Sequence, residues 1–234
     1  MKVEELKNYG KSYAELFLEP EFAKRIQDEM TIVLKKELGR LGAIRFWWRM
    51  RQEIKRIKNR DWSRLKARGV SPEVLDFAIQ LLAVPKTLVD MKGMAETEEI
   101  YHRSFLEKVY EIYTILYPSV NEFEECGDFL KCFKEYLRAS MDANKSDGIY
   151  EIEELEDTED VWTFQAPYCI WLEVAKEFGN PYLCYLSSCL NDITFFTRFA
   201  DQAGFKFKRK GYRSRGAPTC DYKFERLACA NPVG

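Results

Sequence analysis

The sequence has little of what usually identifies an enzyme. It contains a single histidine and no GxSxG, HExxH, P-loop or GxGxxG pattern, so serine-hydrolase, zinc-protease and nucleotide-binding chemistry have no supporting motif. No run of about 18 apolar residues is present, which argues against a membrane-spanning helix. The charged start of the chain, 1–9, lacks the apolar core of a signal peptide. We therefore expect a cytoplasmic protein.

A strong net charge is also missing, since the 234 residues carry a formal charge of −2. The basic segment 45–68 holds ten Lys and Arg against two acids, and it includes Trp47, Trp48 and Trp62. A helix of this kind can lie on a membrane surface or on a nucleic-acid backbone. The simpler interpretation is a solvated helix whose tryptophans pack inward, neutralised by the eight acids of segment 147–160. We therefore expect neither a nucleic-acid nor a membrane partner.

Closely spaced cysteine pairs are absent too. The number of cysteines is odd and no two of them form a CxxC pair, which argues against a structural zinc site and favours reduced thiols. We predict no metal and no cofactor. The seven thiols are then either small core residues or chemical groups: Cys126, Cys132, Cys169, Cys184, Cys189, Cys220 and Cys229.

What the chain does have is ample material for a packed core, with 46% hydrophobic and 15% aromatic residues. Helical periodicity dominates the first two thirds, and short alternating segments follow. Runs of helices followed by strands predict an α+β fold. We expect one domain over 1–234, with a mainly helical part (1–142) packed on a small antiparallel sheet formed by the C-terminal third (143–234). The predicted strands are 150–156, 161–164, 205–208 and 220–224.

Cys189 falls on the apolar stripe of the helix expected after Pro181, so its thiol should face inward. Asp192 lies three residues further on, at the edge of the stripe, where the Cβ atoms of such a pair are roughly 5–6 Å apart. A carboxylate anion disfavours a nearby thiolate, so Asp192 is a candidate general base or an anchor for a cationic ligand. The alternative is a buried cysteine that merely packs beside an aspartate.

Two other cysteines have distinctive positions. Cys169 is expected in the first turn of a helix that follows Pro167, where free N–H groups and the helix dipole stabilise a thiolate. It has the best local reason of the seven to be nucleophilic, although a half-buried cysteine at a helix start is equally compatible. Cys220 alternates with Tyr222 along a strand and should point inward, whereas Asp221 should point to the opposite face.

The one histidine, His102, opens the apolar stripe of a helix expected over 96–117. A histidine in that position is usually a satisfied residue at the edge of the core. It is also the side chain whose ordinary pKa lies nearest neutrality, which makes it the default candidate for proton transfer.

The C-terminal part resembles a known family. It contains CIWLEVAKEFGNPYLC (169–184), then CLND (189–192), and later RGAPTCDYKF (215–224). These segments resemble the "C…G-x-P-x-L…C-x-x-D" region and the closing "G-x-x-x-C-D-[FY]-x-[FW]" strand of L-2-amino-thiazoline-4-carboxylic acid hydrolase-like proteins. The resemblance spans residues 165–226, about a quarter of the chain.

The resemblance implies hydrolytic opening of a small sulfur–nitrogen ring that bears a carboxylate. The ring carbon between sulfur and nitrogen is an amidine-type electrophile that a thiolate or an activated water can attack. A cysteine would be the nucleophile, an acid or the histidine would carry the proton, and an arginine would hold the carboxylate. The implied site comprises the catalytic candidates Cys169, Cys189, Asp192, Cys220 and His102 and the substrate-binding candidates Arg213, Arg215 and Asp221.

Two other interpretations stay open. Cys169, Cys189 and Cys220 with His102 would suit zinc or redox chemistry, although the missing close pairs argue against it. A non-catalytic ligand-binding or sensor protein would instead line an apolar pocket with its many aromatic side chains. A small molecule is the expected partner of the hydrolase and of the sensor, and a homo-oligomer is compatible with the sequence.

Overall fold

Helices account for most of the chain up to residue 146 in the computed structural model, which describes residues 1–227. The α-helices before the first strand are α1 (Tyr13–Phe17), α2 (Pro20–Lys58), α3 (Ser63–Lys66), α4 (Pro72–Lys92), α5 (Met94–Ile100), α6 (Leu106–Leu116), α7 (Val120–Glu125) and α8 (Phe129–Ser146). Three more helices follow the first two strands: α9 (Ile170–Glu177), α10 (Tyr182–Cys184) and α11 (Leu190–Gln202). Within residues 1–227, no helix has the length and apolar composition that crossing a membrane requires.

The long helices begin and break where their residues dictate. Gly39 interrupts α2 with a φ of 71°, a left-handed conformation that glycine adopts without steric cost. The Ser71 side chain caps α4 by accepting a hydrogen bond from the Val74 N–H, and Pro72 follows as the first helical residue. A proline inside a helix usually ends or kinks it, but α4 continues past Pro85 to Lys92. The apolar face of α4 packs into the core and outweighs the hydrogen bond that Pro85 cannot donate.

Two π-helical segments interrupt the helices that flank the core. Tyr101–Phe105 separates α5 from α6, and Tyr185–Cys189 separates α10 from α11. A π-helical turn inserts an extra residue and shifts the helix face that points inward. For this reason Tyr101 and Phe105 are buried while His102 is exposed, so the expected position of His102 at the core edge is wrong.

The four strands form one antiparallel sheet in the order β1-β2-β4-β3, with β1 at Tyr150–Asp157, β2 at Val161–Cys169, β3 at Phe205–Lys208 and β4 at Cys220–Arg226. The α+β prediction is confirmed, and β3 and β4 pair as an antiparallel C-terminal hairpin. Strand β2 is longer than expected because Pro167 sits beside an irregularity in its pairing with β1, the kind of place where a strand accommodates proline. Cys169 therefore ends β2 and occupies the N-cap position of α9, without a side-chain hydrogen bond to the helix, instead of lying in the first helical turn.

The buried apolar residues fall into two clusters that meet along the chain leading into α11. Cys189 and Leu190 belong to the first cluster, which is built mainly from α2, α4 and α9. Phe195 and Phe199 belong to the second, which contains the aromatic side chains of α8 and the sheet. The residues between them, including Asp192, are thus held at the junction of the two clusters.

Gly148 joins α8 to β1 with a φ of 70°, and a Cβ there would lie 2.9 Å from Val70 Cγ2. We expect Gly148→Ala to lower the free energy of unfolding by about 2–4 kcal/mol, because left-handed strain and overpacking add. Gly179 is the matched control, with a φ of 79° and no atom within 4 Å of the position that a Cβ would take. Gly179→Ala should cost only about 1–2 kcal/mol. Equal losses in urea denaturation would contradict the close contact with Val70.

Candidate active site

One cavity collects four cysteines from four different elements. Cys169 ends β2, Cys184 ends α10, Cys189 ends the second π-helical segment and Cys220 begins β4. Three of them were candidates from the sequence. Cys184 was missed because residues five apart point in different directions in a regular α-helix, whereas the wider π-helical turn brings them to one side.

Cys189 occupies the most polar position among these thiols. The Arg209 Nη2 atom lies 3.7 Å from its Sγ, and the Ser214 hydroxyl oxygen lies 3.5 Å away. Hydrogen bonding from the thiols of Cys184 and Cys220 lowers the pKa of Cys189 well below its ordinary value. Burial acts in the opposite direction, but the positive charge of Arg209 adds to the lowering. Its pKa is thus shifted in the direction that favours the thiolate, opposite to the shifts of Cys184 and Cys220.

The neighbouring thiols have the opposite tendency. The pKa of Cys184 is raised well above its ordinary value, because hydrogen bonding with the thiols of Cys169 and Cys189 favours its protonated form and because it is buried. The pKa of Cys220 is raised for the same two reasons, donation to Cys189 and burial. The Arg213 backbone N–H donates to Cys220 Sγ at 3.4 Å. The cavity thus contains one thiolate candidate surrounded by protonated thiols that stabilise it.

Arg209 is a second important site residue that was not predicted from the sequence. Its side chain is 2% exposed and its Nη1 donates to Asp192 Oδ2 at 2.9 Å. The guanidinium lies 4.3 Å from the ring centroid of Tyr222 and 4.8 Å from that of Tyr212. Its Nε is buried without a hydrogen-bond partner. A signal was available, because Phe205 and Phe207 point inward on β3 and the same alternation continues to Arg209.

Asp192 stands between the thiol cavity and a second cavity, which it lines. Burial raises its pKa to about 6, despite the opposing effect of Arg209; the charge of Cys189 contributes to the increase. The Tyr222 hydroxyl donates to Asp192 Oδ2 at 3.2 Å. Tyr222 and Tyr150 line both cavities, so a hydroxyl connects the carboxylate to the space beside the thiols.

The three remaining residues proposed from the C-terminal hairpin have different positions. Arg213 lines the thiol cavity, and its Nη1 is buried with no hydrogen-bond partner. Arg215 is exposed and lies over the Tyr185 ring at 5.0 Å. Asp221 points away from the cavity, as its strand alternation predicted, and its Oδ1 accepts hydrogen bonds from the backbone N–H groups of Lys210 and Gly211. Asp221 therefore shapes the loop that presents Arg213.

His102 lies on the exposed side of its π-helical segment and does not line the thiol cavity. Within residues 1–227, no three His, Cys, Asp or Glu side chains are arranged to hold a metal ion. The structure therefore gives the zinc interpretation no support in this part of the chain. The six cysteines described are free thiols, and Cys229 lies outside the described residues.

Comparison with known families connects this geometry to a chemistry. The model of the L-2-amino-thiazoline-4-carboxylic acid hydrolase family matches residues 78–224, which is more than half of the chain. The chain belongs to that family. The match includes every residue that lines the thiol cavity and extends upstream of the C-terminal motifs, as far as the middle of α4. A search of curated proteins and a search of solved structures each find no match.

Membership in the L-2-amino-thiazoline-4-carboxylic acid hydrolase family indicates a hydrolase-like function at the level of the family name. The thiol cavity is the part of this chain with groups suited to such chemistry: a low-pKa thiol, a buried cation and a carboxyl whose pKa lies near neutrality. The helical segment before residue 78, which includes α2 and α3, lies outside the family match.

Proposed function

We propose that this protein is a cysteine-dependent hydrolase that opens a small carboxylate-bearing ring in which one carbon lies between sulfur and nitrogen. The observation that carries the proposal is the position of Cys189, 3.7 Å from the Arg209 guanidinium inside a cavity ringed by three further thiols. The family match supports the substrate class. The sequence favoured Cys169 as nucleophile, but Cys169 lacks these polar neighbours, so we assign attack to Cys189.

The reaction begins with attack of the Cys189 thiolate on the ring carbon. The electron pair of the C=N bond moves to the ring nitrogen, which takes a proton. Collapse of this adduct breaks the bond to the ring sulfur, which leaves as a thiolate and is protonated. Water then adds to the carbon that Cys189 holds, and breaking the bond to its Sγ regenerates the thiolate and releases the opened product.

Protons reach the cavity through Tyr222. Its hydroxyl lies in the wall of the thiol cavity and donates to Asp192, whose pKa of about 6 lets the carboxyl exchange protons near neutral pH. Asp192 therefore exchanges protons with the cavity through the Tyr222 hydroxyl and does not contact the ring itself. From the sequence, the carboxylate of Asp192 was expected to disfavour a nearby thiolate. Arg209 offsets this repulsion, because it lies between the Cys189 thiolate and the Asp192 carboxylate and pairs with both.

The substrate carboxylate pairs with the arginines of the hairpin. Arg213 brings a buried Nη1 without a partner to the cavity, and Arg209 brings a buried Nε without a partner. An unpaired buried guanidinium N–H is costly, and a carboxylate that accepts from both would remove that cost on binding. Arg215 is too exposed to contribute in the same way.

A non-catalytic ligand-binding protein is the second candidate, and one observation favours it. A third cavity has a mostly apolar wall that includes Val33, Leu81 and Ile112 and contains no cysteine. We rank it below the hydrolase because the thiols gather around one separate cavity instead of being dispersed through the core.

The deciding experiment incubates the purified protein with 2-aminothiazoline-4-carboxylate and follows the gain of one water by mass spectrometry. The matched control substrate is 2-aminothiazoline, which lacks the carboxylate and should be opened far more slowly because the arginines have nothing to bind. If 2-aminothiazoline-4-carboxylate raises the melting temperature of the protein but is not turned over, the hydrolase is contradicted and the ligand-binding candidate is favoured. Equal turnover of both compounds would contradict the role given to the arginines.

A further inference from the structure

The half of α2 that follows Gly39 has two apolar faces. Its inner face packs into the core through Ala43, Phe46, Met50 and Ile57, which are all buried. Three apolar residues on the opposite side are exposed to solvent: Leu41 by 83%, Ile44 by 66% and Trp48 by 59%. Their spacing of three and four residues places them on one stripe. An ordinary surface helix carries polar residues on its outer face, so this stripe needs an explanation.

Trp48 also corrects an expectation from the sequence. The tryptophans of the basic segment were expected to pack inward, and Trp62 does so, with its indole N–H donating to the Ile57 carbonyl at 3.2 Å. Trp48 instead points into solvent. An exposed tryptophan beside two exposed aliphatic side chains is unfavourable in water but typical of a helix at a membrane interface.

The charges around the stripe are almost all positive. Residues 40–58 contain seven Lys and Arg and one acid, in a chain whose net charge is −2. Two of these cations pair with acids, Arg56 with Glu53 and Lys58 with Asp76. The other five form no ion pair with any side chain in residues 1–227: Arg40, Arg45, Arg49, Arg51 and Lys55. The stripe is therefore flanked by uncompensated positive charge.

We propose that this face of α2 binds the surface of an anionic lipid membrane. The basic side chains match anionic headgroups, and Leu41, Ile44 and Trp48 insert at the boundary between headgroups and acyl chains. A second copy of the same face would bring like charges together, which disfavours self-association through it. A nucleic acid would pair with the cations through its phosphates, but it would leave the aliphatic stripe exposed to water. The face lies outside the family match, so it adds to the ring-opening site and does not depend on it.

The test is co-sedimentation of the full chain with vesicles of phosphatidylcholine alone or of phosphatidylcholine and phosphatidylglycerol in equal parts. We expect binding to the anionic vesicles, with a blue shift of tryptophan fluorescence, and little binding to the neutral ones. The variant with Leu41→Ser, Ile44→Ser and Trp48→Ser should bind at least about tenfold more weakly and lose the blue shift. The variant with Arg45→Glu and Arg51→Glu should lose about fivefold per side chain.

The matched control is Leu155→Ser. Leu155 is also exposed, by 61%, but it lies on β1 among the acids Glu153, Glu154 and Glu156. Its substitution should leave vesicle binding unchanged. All variants change exposed side chains, so their melting temperatures should stay near that of the parent, and circular dichroism checks the fold.

Three results would overturn the proposal. The first is a folded triple-serine variant that binds anionic vesicles as well as the parent. The second is a parent that ignores the vesicles but forms a dimer dissociated by the same three serines, which would assign the face to a second copy. The third is a parent that ignores the vesicles but binds duplex DNA.

Discussion

Replacing Cys189 by serine is expected to abolish ring opening. The variant keeps the shape of the cavity, but a serine hydroxyl beside Arg209 does not ionise near neutral pH. Removal of the nucleophile in other hydrolases costs up to about 10⁶-fold in kcat, and we expect a fall of at least about 10³-fold here. The loss should appear in kcat, while substrate binding, measured by thermal shift, should persist because the arginines are intact.

The other cysteines of the cavity provide the controls for this prediction. Cys184→Ser and Cys220→Ser keep a hydroxyl that can still donate to the Cys189 thiolate, so activity should stay within about tenfold of the parent. Cys126 follows the last residue of α7 and does not line the cavity, so Cys126→Ser should leave the activity unchanged. Full activity in Cys189→Ser together with loss of activity in Cys169→Ser would contradict the assignment and identify Cys169 as the nucleophile.

The variant Arg209→Met is expected to lower the free energy of unfolding by about 3–5 kcal/mol. The Arg209–Asp192 pair is almost completely buried, with side-chain exposures of 2% and 10%, and removing one partner leaves a buried charge without compensation. The measurement is urea denaturation at neutral pH. A loss below about 1 kcal/mol would show that Asp192 finds water or another partner and that the pair is not buried as described.

A double variant separates the charge pair from simple packing. Arg209→Met combined with Asp192→Asn removes both charges, so it should be clearly more stable than Arg209→Met alone. Arg209→Lys is the second comparison, because it keeps the charge but cannot reach both Asp192 and Cys189 through one planar group. Compared with Arg209→Met, Arg209→Lys should recover most of the free energy of unfolding but little of the ring-opening activity.

The fold was largely predictable because it follows from local chemistry. Capping by Ser71, the alternation in β3 and β4, and the turn-forming residues between them each specify their element without help from the rest of the chain. The exceptions have tertiary causes. The core packing of α4 carries that helix past Pro85, and a pairing irregularity lets β2 pass through Pro167.

The candidate site was predictable in part. The inward directions of Cys189 and Cys220 follow from helical and strand periodicity, and both line the cavity. Cys184 and the exposed position of His102 were missed for one reason: each depends on a π-helical turn, which amino-acid periodicity does not reveal. Arg209 points inward by simple alternation, but its bond to Asp192 joins two elements whose docking only the folded chain defines.

In the reaction that we propose, Arg209 and the neighbouring thiols hold Cys189 as a thiolate, and this ionisation can be measured directly. The ultraviolet absorption of the thiolate is followed through a pH titration of the parent, and the titration of Cys189→Ser is subtracted. The difference should titrate well below about 8.5, the ordinary pKa of cysteine, and the same subtraction in an Arg209→Met background should move it upward. A difference that titrates at or above the ordinary value would contradict the account.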